Sequence, residues 1–363
     1  MANEKKTVRE PSFILALVPI VAMIGFMLYC FRGHSETGYH DAHLPLVMSI
    51  IVACIVGFIC GHSFQEMLAG MVERLAASME AVLILATVGF LVTSFMLSGA
   101  IPTMIVYGLD LLTPQLFLPV GCILCAIVGM ACGSSWTTTA TIGLAFLGIG
   151  VGLGIPAPIT AGMIISGAYV GDKFSPLSDT TNLAAAVAET GLFDHVTAMV
   201  STTGPTLLLS LILYTILGLN VDTSAYDATV AEGIQEAFRS AFTISPILLL
   251  PIIVVIVMCI LRVPGLVGIA VSVATAVVFM LIFQSTDIYY SHSLGDIFDV
   301  LHYGHAVETG NAVADSILGK AKGMDGMMWT INLILVALAY GGALERCGCI
   351  EKLFGGLKHK IHS

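Results

Sequence analysis

Apolar runs long enough to cross a bilayer alternate with short polar interruptions along most of this chain. A spanning helix needs roughly 20 apolar residues. Such runs predict helices over about 13–31, 44–60, 79–97, 116–132, 140–155 and 195–219, and again over 243–261, 263–283 and 327–344. Between 157 and 188, two apolar stretches too short to cross flank a polar one, which predicts a single broken helix. The first run follows Lys5, Lys6 and Arg9 and is long for the apolar core of a signal peptide, so it reads as a retained helix. Residues 61–78, with Glu66, Glu73 and Arg74, are expected to lie along the surface. Residues 220–241 read as an acidic loop, 284–326 as a polar region with amphipathic helices near Ile297 and Ala312, and the end as a basic tail.

Composition turns this pattern into a class. Hydrophobic residues make up 57% and charged residues 10% of the chain, with a mean hydropathy of +0.96. A soluble domain carries roughly 25% charged residues, so these charges are too few to cover a water-facing surface. The chain reads as an all-α polytopic protein of the lipid bilayer. The net charge of −10 implies no basic ligand, since it is spread over loops, and no patch suits nucleic acid. The nine cysteines fall mostly in apolar runs; Cys122/Cys125 and Cys347/Cys349 read as packing residues rather than metal ligands. With the N-terminus inside, nine Lys and Arg face the cytoplasm and four face outward, the direction the positive-inside rule requires.

Two polar interruptions stand out. One is Gly171-Asp172-Lys173-Phe174-Ser175-Pro176-Leu177-Ser178-Asp179-Thr180-Thr181-Asn182, in the middle of the broken helix. An ionisable residue at membrane depth costs at least about 2.5–3.5 kcal/mol and marks a functional site by default. The other is Gly133-Ser134-Ser135-Trp136-Thr137-Thr138-Thr139, between two apolar arms that predict a helical hairpin. Irregular backbone at depth is tolerated only where protein or a water-filled cavity surrounds it. The bland alternatives are a solvated turn at Pro176, helix capping by Ser178, Thr180, Thr181 and Asn182, and helix packing by the hairpin hydroxyls. Asn332 is expected to face the bundle interior, and Trp136 to fill space. Asp41 and His43 with His40, and His302 with His305, read as solvated loops, with a metal cluster or pH sensor as the alternative.

The chain also repeats itself. The span from Met79, followed by Ser98-Gly99-Ala100-Ile101, corresponds at an offset of 249 residues to the span from Met328, followed by Cys347-Gly348-Cys349-Ile350. Residues 1–242 read as one transporter repeat and 243–363 as the start of a second. Inverted repeats around discontinuous helices are the signature of secondary transporters. The hairpin and broken helix of the first copy have no counterpart before Ser363. The expectation is a C-terminally truncated chain, or one whose partner supplies the rest.

At these residues the sequence resembles a known family. The stretch from Gly171 to Asn182, continuing through Leu183 and Ala184, is similar to the signature of the NhaC family of Na⁺/H⁺ antiporters. Gly133-Ser134-Ser135-Trp136-Thr137-Thr138 resembles that family's other polar segment. The resemblance covers essentially the whole chain. It implies exchange of Na⁺ for H⁺ by alternating access across the bacterial cytoplasmic membrane. Some members couple the exchange to malate and lactate.

Such exchange needs a carboxylate that holds either a proton or Na⁺. Burial raises a carboxylate's pKa and a neighbouring ammonium lowers it. Asp179 is the expected exchanged carboxylate, with Thr180 as a second Na⁺ ligand and Asp172 and Lys173 as a charge pair tuning it; the two aspartates can trade roles. Ser175, Ser178, Thr181, Asn182, Ser134, Ser135 and Thr137 complete the expected lining. The expected partners are Na⁺, H⁺ and, in an alternative reading, a small organic anion or amino acid, with no other cofactor; a homo-oligomer is compatible with all of this. An intramembrane serine enzyme is the reading from another class. Lys173 lies near Ser175, but no Gly-x-Ser-x-Gly or membrane histidine accompanies them.

Overall fold

The computed structural model describes residues 8–32, 41–132, 135–175, 178, 180–181, 184–185, 190–220, 228–261, 263–285, 294–319 and 321–361. Every regular element among them is helical. Among the described residues, four helices are long and apolar enough to cross a membrane by themselves: α1 (Phe13–Phe31), α10 (Leu192–Leu219), α13 (Gly265–Phe283) and α16 (Asp325–Arg346). Shorter apolar helices stand between them, notably α2 (His43–Ile59), α5 (Ala100–Leu111) and α6 (Pro114–Cys132). The chain is an integral, multi-pass membrane protein.

It divides into two compact units, residues 1–83 with 328–363, and residues 84–327. In the first unit α1 packs against α2 and against α17 (Cys349–Ile361). The surface helix expected at 61–78 is α3 (Phe64–Ala77), opened by a reciprocal capping box between Ser63 and Glu66. Leu46, Ala53, Met67, Ala343 and Leu344 form the core, and Tyr340 donates to the Pro19 carbonyl at 3.0 Å. The end expected as a basic tail is the helix α17. Its early residues Cys349 and Leu353 face this core, so the tail folds on an apolar stripe that its lysines obscure in the sequence. Asn332 is exposed, not turned inward as expected. His43 and Asp41 are not a solvated loop: their side chains bond each other, and the His43 ring stands edge-on to Trp329 with centroids 5.1 Å apart.

In the second unit Phe95, Phe117, Phe146 and Phe238 are buried in one core. The stretch expected as a hairpin is helical on both sides of residues 133–134. α6 leads to a short helix α7 (Ser135–Thr138), a π turn (Thr139–Gly143) and α8 (Leu144–Gly152). A π turn inserts one extra residue per turn and often marks a functional position. Trp136 is half exposed rather than filling the interior. Residues 228–241, expected as acidic loop, form an amphipathic helix α11 (Ala228–Ala241). Ile234, Ala237 and Phe238 recur at helical spacing and are buried, while Glu232 and Glu236, two of the acidic residues that suggested a loop, are exposed. Gln235 ties α11 to α5 by donating to the Val106 carbonyl at 3.0 Å and to Asp110 at 2.8 Å. The run expected as a helix over 243–261 begins as a 3₁₀ turn (Pro246–Leu249) before α12 (Leu250–Ile260). The amphipathic helices expected near Ile297 and Ala312 are α14 (Leu294–Tyr303) and α15 (Ala312–Leu318).

One local device occurs twice, 249 residues apart. α4 (Met79–Leu97) is joined to α5 through Gly99 at φ 81°, and α16 to α17 through Gly348 at φ 74°. Only glycine takes that backbone region without strain. At the first break Gln284 donates from Nε2 to the Ser98 carbonyl at 3.0 Å and accepts the Thr243 N–H at 3.0 Å. At the second, Pro11, just before α1, lies 3.4 Å from where a Cβ on Gly348 would sit. Each unit therefore sets a glycine break from one half of the chain beside the entry of a hairpin from the other half.

Candidate functional site

The site is built where α9 (Ala157–Phe174) stops. α9 lies closer to α6 than ordinary side chains permit. A Cβ on Gly171 would fall 2.2 Å from the Ala126 carbonyl oxygen, and one on Gly167 2.3 Å from that of Cys122. These two glycines, four apart on one face, let the backbones touch, as small residues do at membrane helix interfaces. Asp172 follows Gly171 directly, so the same close approach carries its side chain into the protein, where it is 8% exposed.

The helix ends because Ser175 precedes Pro176. A residue before proline is pushed out of the helical region, and Ser175 is extended at φ −83°, ψ 124°. Its N–H turns back to the Asp172 carbonyl at 3.1 Å. Beyond the break, Thr181 Oγ1 donates to the carbonyls of Asp172 at 3.3 Å and Lys173 at 3.4 Å. A hydroxyl thus satisfies helix-end carbonyls that would otherwise lack partners. Ser178 Oγ accepts the Thr181 N–H at 3.3 Å and lies 2.9 Å from Thr180 Oγ1, which is the capping role open to it from the sequence.

From α7, Ser135 Oγ donates to Asp172 Oδ2 at 3.2 Å. The two polar stretches singled out in the sequence therefore meet. Ser135, Asp172, Ser175, Ser178 and Thr181 are all buried, whereas Lys173 and Thr180 are exposed. Ser134, Pro176, Asp179 and Asn182, and the Thr137 side chain, lie outside the described residues. Thr138 and Thr141, further along the hairpin, are buried as well. The result is a cluster of hydroxyl and carboxylate oxygens at a helix C-terminus, whose aligned peptide dipoles already favour positive charge. Hard cations take oxygen ligands, so this chemistry suits a small metal cation and a proton better than an anion.

Comparison with known proteins bears on the same residues. A family model described as the Na⁺/H⁺ antiporter family matches residues 167–363, beginning at the first of the two packing glycines. The chain belongs to the Na⁺/H⁺ antiporter family. It is 34% identical over 323 residues to the Na⁺/H⁺ antiporter NhaC of Alkalihalophilus pseudofirmus, covering 89% of this chain and 68% of that one. It is 35% identical to the arginine/ornithine antiporter ArcD of Halobacterium salinarum, over 94% of this chain and 69% of that one. It is 31% identical to the malate-2H⁺/Na⁺-lactate antiporter of Bacillus subtilis, over 99% of this chain and 74% of that one. No solved structure matches the chain. The resemblance to NhaC carried by the 171–184 stretch thus extends over most of this antiporter's length.

The sequence did not single out Gln284 or the Gly167/Gly171 pair. The glycines had a legible signal, the small-xxx-small spacing. Gln284 had a weaker one, a lone amide closing an apolar run.

Proposed function

We propose that this chain is a secondary transporter exchanging Na⁺ for H⁺ across the cytoplasmic membrane by alternating access, with its N-terminus inside. The observation that carries the reading is Asp172, a buried carboxylate at a helix break, bonded to a hydroxyl of the hairpin. Asp172 holds either a proton or, with hydroxyl and carbonyl oxygens around it, Na⁺. Occupancy by one excludes the other, and that exclusion couples the two flows. Asp179 remains a second candidate for the same role, with Asp172 and Lys173 then tuning it and Thr180 as its co-ligand. The glycine-hinged helix pair that recurs 249 residues on supports the inverted-repeat reading, with 1–242 as one repeat. The ions are the only cargo this reading needs, and it assigns no enzymatic step.

The test is dye-monitored Na⁺/H⁺ exchange in everted vesicles, comparing wild type with Asp172→Asn and Asp179→Asn. Loss of exchange in Asp172→Asn supports the assignment; wild-type rates in both variants overturn it.

A second reading keeps the fold and the site but changes the cargo to an organic ion. It is favoured by the relatives named for arginine/ornithine and malate/lactate exchange, which match at 35% and 31% identity against 34% for NhaC. Lys173, exposed beside the site, would hold a carboxylate of such a cargo. Counterflow of labelled arginine or malate in proteoliposomes, without Na⁺-driven proton movement, would favour this reading over the first.

A further inference from the structure

The first unit carries thiols that ion exchange does not use. Cys54 lies on α2 and Cys60 just after it, while Cys347 and Cys349 flank the glycine break between α16 and α17; all four are buried. The left-handed turn at Gly348 folds its two neighbours together. Their sulfurs lie 3.1 Å apart, with the Cys347 thiol also donating to the Leu344 carbonyl at 3.3 Å. Two thiols two residues apart usually point away from each other in a helix, so this contact comes from the break itself. The sequence reading took both as packing residues; packing alone does not require the sulfurs to touch.

The two thiols differ in access. Cys347 is 1% exposed but is one of the residues at the wall of a cavity of 580 Å³, with Arg9, Glu10, Glu345, Arg346, Glu351 and Lys352. Cys349 is not among the residues lining that cavity and is fully buried. They differ also in acidity. The Cys349 thiol and the backbone N–H at the start of α17 hold Cys347 down to about 7 against the opposing effect of burial, and the same contact pushes Cys349 up. When Cys347 ionises, Cys349 becomes the donor of the bond they share. A low-pKa thiol at a cavity wall, in contact with a second, more deeply buried thiol, is the arrangement of a redox-responsive pair.

We propose that Cys347 and Cys349 form a peroxide-responsive dithiol, with Cys347 attacking and Cys349 resolving. The Cys347 thiolate attacks one oxygen of hydrogen peroxide. An S–O bond forms, the O–O bond breaks, and the departing hydroxide takes up a proton to become water. Cys347 is then a sulfenic acid. Cys349 gives up its proton as its sulfur attacks Cys347 Sγ; the S–S bond forms and the S–O bond breaks. The displaced hydroxide leaves with that proton as a second water. Two thiols are oxidised to one disulfide, and one peroxide is reduced to two waters. The disulfide closes a small ring across Gly348 and fixes the angle at which α17 leaves α16, hence its seat on α1.

The test uses the full chain purified in detergent, treated with graded hydrogen peroxide, blocked with N-ethylmaleimide and mapped by peptide mass spectrometry. The expected product is a Cys347–Cys349 disulfide that dithiothreitol reverses and that forms about tenfold faster than Cys30, a partly exposed thiol outside the pair, is oxidised. In Cys349→Ser, or Cys349→Ala if the serine variant does not fold, dimedone should trap Cys347 as its sulfenic acid. Both thiols remaining alkylatable after Cys30 is oxidised would overturn the proposal. So would a disulfide mapped instead to Cys60 and Cys347.

Discussion

The Ser135 hydroxyl and the Asp172 carboxylate, 37 residues apart in sequence, meet at 3.2 Å and join the short helix α7 to the C-terminal end of α9. In the proposed exchange, deprotonated Asp172 accepts that bond and holds the cation; protonated, it becomes a donor itself. Ser135 therefore contacts both states without being the group that changes between them. Ser135→Ala should weaken Na⁺ binding while leaving turnover at saturation close to wild type. Loss of one hydrogen bond to a charged group is worth about 1.5–3 kcal/mol, so the half-saturating Na⁺ concentration should rise by roughly tenfold or more. Exchange rates measured against Na⁺ concentration in vesicles check this. An unchanged half-saturation point would remove Ser135 from the site.

Gly171 is held against α6 by distances that no added atom fits. In Gly171→Ala the new Cβ meets backbone atoms, the Ala126 oxygen at 2.2 Å and the Met130 nitrogen at 2.7 Å, which cannot rotate away. Overpacking of this kind costs about 1–3 kcal/mol, and here it also displaces the neighbouring Asp172. The variant should melt several degrees lower in detergent and lose exchange together with stability. Gly341→Ala is the matched control, since a Cβ there meets nothing within 4 Å. It should leave the melting temperature unchanged or slightly raised.

Gln284 is 6% exposed and bonds the Ser98 carbonyl and both backbone groups of Thr243. Gln284→Ala removes all of these partners at once. Leaving the buried Ser98 carbonyl unsatisfied costs about 1–3 kcal/mol. The variant should melt several degrees lower, with faster amide hydrogen exchange at Ser98, Gly99 and Thr243 than in wild type. Unchanged exchange at those amides would show that the strap does not hold the break between α4 and α5.

Asp41 carries a pH signature. The His43 side chain and backbone N–H, together with Trp329 Nε1 at 3.1 Å, hold its carboxyl below the ordinary value of 3.8, against a smaller opposing effect of burial. For a depressed acid the stabilisation is present above the unfolded pKa and is lost as pH falls through the folded one. Trp329 fluorescence, read in a Trp136→Phe background so that one indole remains, should hold steady down to about pH 4 and change below it as the carboxylate is neutralised. Asp41→Asn should abolish that acid-side change. A transition of the same size in the Asn variant would assign it to another group.

Local physics alone determines much of this protein. Runs of apolar residues can only be spanning or buried helices in a chain with so few charges, and Pro176 forces Ser175 out of the helix wherever it lies. The apolar helices, the end of α9 at Phe174 and the glycine hinge repeated at 99 and 348 are legible that way. So is the polar stretch around Asp172, because charge in an apolar run is costly whatever surrounds it. Where apolar spacing is diluted by charges, the sequence misleads. α11 hides behind its acidic face and α17 behind its lysines, since each depends on a partner surface that a linear pattern does not contain. Only the tertiary structure decides that Asp172 turns inward while Lys173 is exposed, because the close approach of α9 to α6 sets which way Gly171 and its neighbour face. It alone brings Ser135 to Asp172, Gln284 to Ser98 and the sulfur of Cys347 to that of Cys349. Contacts between distant residues follow from how helices pack, and a one-dimensional hydrophobic pattern fixes which faces are buried without fixing what they are buried against.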